Sequence, residues 1–189
     1  MKHLVLTQFG TPSESVALHD DGDPVPGPGD VLVRMEAAAV NPSDLLLLRG
    51  VYLARPEPPA PVGGEGVGIV VDAGAQADQG LLGKRVIVLP TYTYGTWAEK
   101  VVVPQDKVVE VAPDADPLQL AMLSINPATA HVMASSSYLR MLWLSRCEWT
   151  VWRNVVTDCV FHAAAAAVIS SQTAKRLVIS VRHWGALIR

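Results

Sequence analysis

The first two thirds of the chain alternate between short apolar runs and turn-forming residues. The apolar runs are rich in β-branched side chains and are flanked by proline and glycine, which is typical of strands. The predicted strands are Met1 to Thr7, Val31 to Val40, Gly66 to Val71, Arg85 to Leu89, Trp97 to Val103 and Val108 to Val111. This pattern predicts a small, mostly antiparallel barrel.

Helix signals follow the last of these strands. In Asp116-Pro117 a capping residue precedes a proline at the first helical position, which predicts a helix over Leu118 to Leu123. Asn126-Pro127 repeats the pattern and predicts a second helix to about Met133. Farther on, the pattern predicts a strand, an alanine-rich helix and a strand at Trp149 to Val156, Ala163 to Lys175 and Leu177 to Val181. These three elements would form one βαβ unit.

Composition changes at the same place as the pattern. All 14 prolines lie at or before Pro127, and 13 of the 14 glycines lie at or before Gly95. Residues 1–130 carry 8 Lys/Arg and 16 Asp/Glu, whereas residues 131–189 carry 7 and 2, so an acidic part precedes a basic one. Such asymmetry is typical of an interaction tail or of a shifted reading frame, and both remain open.

Cysteine content, the length of apolar runs and net charge limit the compartment and the classes of partner that are expected. The two cysteines, Cys147 and Cys159, form neither a disulfide framework nor a metal-binding spacing, so a reducing cytoplasm is the expected location. No uncharged apolar run reaches the roughly 20 residues of a membrane span, so no membrane partner is expected. Aromatic and basic tail residues could stack on bases, but the whole chain is acidic, so no nucleic-acid partner is expected.

Several short motifs occur in a familiar order and spacing. They are Asn41-Pro42-Ser43-Asp44, Tyr52, Gly63-Gly64-Glu65-Gly66-Val67-Gly68, Gly83 to Val88, Gly95 to Glu99 and Ser124 to Ala130. Over residues 1–130 the chain thereby resembles the zinc-free medium-chain dehydrogenase/reductase superfamily, most closely its 2-enoyl-thioester reductases and next its quinone oxidoreductase-like members. The resemblance implies a GroES-like, partly open β-barrel, with mainly β structure in the first two thirds, followed by an incomplete α/β Rossmann-like segment.

The resemblance also implies domain bounds and a reaction. Residues 1–125 would be the GroES-like catalytic domain, and residues 126–189 a truncated, divergent start of a Rossmann nucleotide-binding domain. The reaction would be the NADPH-dependent reduction of a 2-enoyl thioester, with an acyl thioester or a quinone as the small-molecule substrate. A homodimer is left open.

Tyr52 is the expected catalytic residue by this resemblance. Hydride addition to the β-carbon of an enoyl thioester leaves negative charge on the thioester oxygen, and a tyrosine hydroxyl can donate a hydrogen bond to that oxygen or pass a proton. The alternative is a loop tyrosine that covers the barrel.

Asn41 and Thr129 are the expected cofactor-binding residues. The resemblance puts the Asn41 side chain near the nicotinamide and its ribose, and Thr129 at the junction of the two domains. Asn41 would in any case cap the short apolar helix from Leu45 to Arg49. For Thr129 the alternative is an ordinary residue in the first turn of a helix.

Metal catalysis is not expected. Zinc-dependent relatives have a cysteine at the position of Asn41 and a histidine at that of Gly64, and neither an amide nor a glycine replaces those ligands. The segment Pro90 to Tyr94 contains none of the four cysteines of their structural zinc lobe. Glu65 is expected to be a structural hydrogen-bond acceptor in the pocket rather than a general base.

The predicted nucleotide-binding segment leaves a second function open. A Rossmann turn uses glycine to let the backbone approach the pyrophosphate, but the predicted turn here is Thr157-Asp158-Cys159-Val160-Phe161-His162. The sequence therefore predicts impaired activity for this chain. The alternative is a non-catalytic, stand-alone GroES-like module, or the product of a disrupted gene, without cofactor binding.

Overall fold

A computed structural model describes residues 1–129 and the backbone of residues 178–180. The strands are β1 (Lys2–Leu6), β2 (Val16–Asp20), β3 (Asp30–Ala39), β4 (Ala60–Pro61), β5 (Gly66–Ala73), β6 (Arg85–Val88), β7 (Lys100–Pro104), β8 (Val108–Glu110) and β9 (Val178–Ser180). The α-helices are α1 (Pro12–Ser15), α2 (Pro42–Leu48) and α3 (Pro117–Leu120), and residues 126–129 are also helical.

The strands form two antiparallel sheets. The larger sheet has the order β7-β3-β5-β6-β8, and β9 pairs with the far end of β3, opposite Ala37–Ala39. The smaller sheet has the order β2-β1-β4. The predicted architecture, mainly β and mostly antiparallel in the first two thirds of the chain, is confirmed.

The core of the larger sheet consists mostly of valines, which recur at every second position of several strands. Val31, Val33 and Met35 of β3 are buried together with inward-facing valines of the neighbouring strands. Side chains alternate between the two faces of a strand, so this spacing places all three on one side of the sheet. A register shift between Met35 and Ala37 interrupts this alternation, so Ala37 packs against α3 in a separate buried cluster.

The segment from Trp97 to Glu99 joins the two sheets. The Trp97 carbonyl accepts the Leu4 amide of β1 at 2.9 Å, and the Glu99 carbonyl accepts the Met35 amide of β3 at 2.9 Å. The Trp97 indole nitrogen donates to the Ala39 carbonyl at 2.9 Å. This segment bonds to both sheets, so it explains why β7 begins at Lys100, three residues after the predicted start of that strand.

Two glycines of the Gly63-to-Gly68 motif are required by packing. Gly63 has a φ of +99°, and a Cβ there would overlap Trp97 and Thr96. At Gly68 a Cβ would overlap the carbonyl oxygen of Arg34 on β3. Only glycine fits these close approaches without distortion.

The other predicted strands of the barrel are confirmed to within two residues at each end, and β9 lies within the predicted strand Leu177 to Val181. Strands β2 and β4 and helix α1 were not predicted. The predicted helix from Leu118 to Leu123 is too long, because α3 ends at Leu120 and the amides of Met122 and Leu123 bond to carbonyls three residues back. The other elements predicted beyond residue 129, including the turn from Thr157 to His162, lie outside the described residues.

Among the residues that the structure describes, no helix has both the length and the apolar character needed to cross a bilayer.

Candidate active site

The Glu65 carboxylate is the centre of a buried hydrogen-bond network. The residue has no exposed surface. One carboxylate oxygen accepts from the Asn41 side-chain nitrogen at 2.9 Å, and the other accepts from the Ile125 amide at 3.0 Å and from the Ser124 hydroxyl. Each oxygen is therefore satisfied, which is what a buried carboxylate requires. The expectation that Glu65 is a structural acceptor agrees with these contacts.

The network connects three segments that are distant in sequence. Glu65 directly precedes β5, Asn41 follows β3, and Ser124 and Ile125 lie between α3 and the helical residues 126–129. The backbone carbonyl of Glu65 also accepts the Thr96 hydroxyl at 2.9 Å. One side chain thus fixes the wall of the barrel to the segment through which the chain leaves it.

Asn41 is the N-cap residue of α2, as predicted, although the helix begins at Pro42 rather than at Leu45. Its backbone amide donates to the Asp44 carboxylate at 2.7 Å, and the Asp44 amide donates to the Asn41 carbonyl at 3.0 Å. The Asn41 side chain is almost fully buried against Glu65. The N-cap position and the hydrogen bond to Glu65 together fix the orientation of this amide.

Asp44 is a buried carboxyl group that the sequence analysis did not select. Burial raises its pKa from 3.8 to about 6, the nearby Glu65 charge adds to the rise, and the hydrogen bond from the Asn41 amide opposes it. Its second oxygen, Oδ1, is buried and has no hydrogen-bond partner among the described residues. The spacing in Asn41-Pro42-Ser43-Asp44 is that of a capping box and could have identified the residue.

Tyr52 packs against a second tyrosine, Tyr92. The ring centroids are 5.5 Å apart with an interplanar angle of 66°, and the two hydroxyl oxygens are 3.5 Å apart. Burial is the main reason that the pKa of Tyr92 rises to about 12, and its contact with the Tyr52 hydroxyl adds to the rise. Tyr52 itself is half-buried, so part of its ring faces solvent.

Tyr92 links the tyrosine pair to the buried network. Its ring lies beside Gly64, where a Cβ would come within 3.3 Å of both the Tyr92 ring and Asp44 Oδ1. Asp44 and Tyr92 also line one small crevice, which has room for about one water molecule. In the sequence Tyr92 stands out only as part of a segment without cysteines, because its contact with Tyr52 spans 40 residues.

Among the described residues, Thr129 forms no direct hydrogen bond with Glu65, Asn41 or the tyrosine pair. Its amide and its hydroxyl both donate to the Ile125 carbonyl at 2.9 Å, and the residue is exposed. These are the contacts of an ordinary residue in a first helical turn, which was the alternative interpretation. Among the residues that the structure describes, Thr129 is connected to the network through Ile125, whose amide binds Glu65.

The polar groups at this end of the barrel suit a ligand that both donates and accepts hydrogen bonds. The Asn41 amide and the Thr129 hydroxyl match the carboxamide and ribose hydroxyls of a nicotinamide nucleoside in hydrogen-bonding character. At the position of the family's zinc ligands, the Asn41 side chain instead donates to Glu65, and Gly64 offers no side-chain ligand. A cofactor contact at Asn41 or Thr129 stays a prediction.

Comparison with known proteins identifies relatives for this part of the chain. Residues 27–114 match the family described as the alcohol dehydrogenase GroES-like domain. The chain is 34% identical over 132 residues to the mitochondrial enoyl-[acyl-carrier-protein] reductase of Xenopus tropicalis; the match covers 70% of this chain and 37% of that protein. The chain therefore spans little more than a third of the length of this relative.

Solved structures give a similar result. A Bacillus thuringiensis protein assigned as an NADPH:quinone reductase superimposes with a TM-score of 0.65 at 35% identity, over 72% of this chain and 40% of that one. The Thermus thermophilus quinone oxidoreductase, whose structure was also determined with NADPH, superimposes with a TM-score of 0.58 at 31% identity, over 70% of this chain and 39% of that one.

Proposed function

We propose that the chain is an oxidoreductase of the medium-chain dehydrogenase/reductase superfamily that reduces 2-enoyl thioesters with NADPH, because residues 27–114 match the alcohol dehydrogenase GroES-like domain. The similarity to enoyl-[acyl-carrier-protein] reductases supports the thioester as substrate. The similarity to quinone reductases makes a quinone the alternative substrate.

The hydroxyl pair of Tyr52 and Tyr92 is the observation that carries this proposal. When bound, NADPH supplies the hydride that adds to the β-carbon of the enoyl group. The α-carbon takes up a proton from solvent water, and negative charge develops on the thioester oxygen before that proton arrives. Tyr52 donates a hydrogen bond to this oxygen and thereby stabilises the developing charge.

Tyr92 holds the Tyr52 ring in place. An edge-to-face pair of tyrosines restricts the rotation of both rings, so the Tyr52 hydroxyl does not have to be ordered at the moment of reaction. Tyr92 is half-buried and packs beside Gly64, so we propose it as a positioning residue and Tyr52 as the catalytic one.

Asn41 and Thr129 are the proposed cofactor contacts. The hydrogen bond to Glu65 fixes the Asn41 amide, which supports a role in orienting the nicotinamide against the substrate. Thr129 lies four residues beyond Ile125, so the same carboxylate anchors the segment that carries it.

A second candidate is a non-catalytic GroES-like module. It is favoured by the sequence from Thr157 to His162, where a dinucleotide-binding turn would contain glycine. Bulky side chains at such a turn would keep the backbone away from the pyrophosphate.

One titration separates the two candidates. NADPH fluorescence is followed as the chain is added, and the first candidate predicts saturable binding at about 1 mM or below, the usual range for enzyme substrates. Binding without saturation in that range contradicts it and supports the module. If NADPH binds, turnover of a trans-2-enoyl-CoA is compared with turnover of a quinone, and reduction of the quinone alone contradicts the thioester assignment.

A further inference from the structure

The hairpin of β1 and β2 carries two histidines and an aspartate on one face. His3 and His19 stand directly opposite each other in the strand register, and their ring centroids are 5.7 Å apart. Asp21 follows His19 by two residues, so its side chain projects to the same side. One ligand atom from each of the three lies within 4.8 Å of the others. None of the three belongs to the candidate active site.

The distances come close to those of a metal site. His3 Nε2 and Asp21 Oδ2 are 3.5 Å apart. In a tetrahedral site with metal–ligand bonds of about 2.0–2.1 Å, two ligand atoms are separated by roughly 3.3 Å. His19 is exposed and the Asp21 side chain is 64% exposed, so both can turn toward an ion. Because β1 and β2 are paired, the backbone positions of His3, His19 and Asp21 are already fixed, and only their side chains have to move to bind an ion.

Charges around the hairpin single out Asp21. Asp20 lies 3.6 Å from the amino-terminal ammonium, and Asp23 pairs with Lys100, so each of these carboxylates already has a cationic partner. Asp21 instead faces the imidazole of His3. His3 Nδ1 is buried and has no hydrogen-bond partner among the described residues, so the polar contact of this ring is on the side of the cluster.

We propose that His3, His19 and Asp21 bind a divalent ion of the late first-row metals, with Zn²⁺ as the reference ion. Two imidazoles and one carboxylate are a donor set that such ions prefer, whereas Mg²⁺ and Ca²⁺ prefer oxygen ligands alone. Water would complete the coordination. The bound ion would link β1 to β2 and stabilise the folded chain in proportion to its occupancy.

Isothermal titration with Zn²⁺ tests this site. The chain is used untagged, because a polyhistidine tag binds the same ions, and in a background where Cys147 and Cys159 are both serine, because thiolates bind zinc independently. We expect one binding event that disappears in His19→Ala. In Asp21→Asn its affinity falls by about 10-fold or more, the loss seen even for residues one step removed from a metal. Mg²⁺ gives no such event.

Asp20→Asn is the matched control, because it removes the same charge from the next residue outside the cluster. Its zinc affinity should equal that of the parent. Thermal unfolding gives a second measurement, in which Zn²⁺ raises the Tm of the parent and of Asp20→Asn but not that of His19→Ala. Equal zinc binding by His19→Ala and the parent would overturn the proposal and leave an ion pair between His3 and Asp21. Equal losses in Asp20→Asn and Asp21→Asn would also overturn it, as a general charge effect.

Discussion

The side-chain nitrogen of Asn41 lies 2.9 Å from a carboxylate oxygen of Glu65, across 24 residues of sequence. Through this hydrogen bond the cap of α2 and the residue before β5 form one unit. The other oxygen of the same carboxylate binds Ile125. A fully buried carboxylate therefore connects three segments of the candidate site.

Glu65→Gln should destabilise the protein although it preserves the shape of the side chain. The carboxylate accepts from Asn41, Ser124 and Ile125, and the amide group of glutamine would direct N–H donors at one of these donors. A buried polar group without a partner costs about 1–3 kcal/mol, so we expect a loss of that size in urea unfolding. Glu57→Gln changes an exposed glutamate in the same way and should have almost no effect. Equal effects of the two substitutions would contradict a structural role for Glu65.

Asp44 should make the stability of the protein depend on pH. Its pKa is higher in the folded state, at about 6, than the usual 3.8, so the folded state binds the proton more tightly. The resulting stability is fully present below pH 3.8 and is lost as the pH rises through 6, by about 3 kcal/mol in total. Asp44→Asn does not titrate and still offers an oxygen to the Asn41 amide.

The difference in unfolding free energy between Asp44→Asn and the parent measures this effect. It should grow in favour of the variant from pH 4 to pH 7, because the effects of the other titrating groups cancel in the difference. A difference that stays constant with pH would mean that Asp44 has the same pKa in the folded and unfolded states.

Tyr52→Phe should lower the rate of enoyl-thioester reduction while substrate binding changes little. Loss of one hydrogen bond to a developing oxyanion costs about 10²- to 10³-fold in kcat. NADPH oxidation in the presence of a trans-2-enoyl-CoA gives kcat and KM. Tyr94→Phe is the control, because it removes the same hydroxyl group from a tyrosine that packs against the core of the larger sheet and not against Tyr92. An unchanged kcat in Tyr52→Phe would remove Tyr52 from the mechanism.

Gly63→Ala should destabilise the junction between the two sheets. The backbone conformation at φ +99° is unfavourable for alanine, and its Cβ would overlap Trp97. Backbone strain alone costs about 1–3 kcal/mol, which urea unfolding measures. At Gly22 a Cβ meets no atom within 4 Å, so Gly22→Ala serves as the control. If both alanine variants are equally stable, the close contact with Trp97 does not determine the choice of glycine.

The strands of the larger sheet could be predicted from sequence because valines recur at every second position on their buried faces, as in Val31 and Val33, Val86 and Val88, and Val101 and Val103. Strand β2 escaped prediction because two of its five residues, His19 and Asp20, are polar and its last three residues are exposed. The end of α3 was also missed. After Leu120 the chain forms turns that lead to Ile125. The Ile125 amide donates to the carboxylate of Glu65, 60 residues earlier, and local sequence cannot specify such a contact.

For the candidate site, sequence located single residues but not their partners. The motif around Asn41 predicted the cap, and the same motif contains Asp44, whose burial becomes evident only once Gly64 and Glu65 pack against it. Tyr92 had no signal of its own, because its role depends on a contact with Tyr52 that the fold creates. Tertiary contacts of this kind, rather than local propensity, account for what the sequence analysis lacked.

The hydrogen bonds from Ser124 and Ile125 to Glu65 have a mechanical consequence. A rotation of the chain beyond Ile125 would pull on the carboxylate that also orients Asn41. Movement of Ser124 and Ile125 and alignment of the Asn41 amide are thus mechanically coupled. A ligand that reorients one of them must reorient the other.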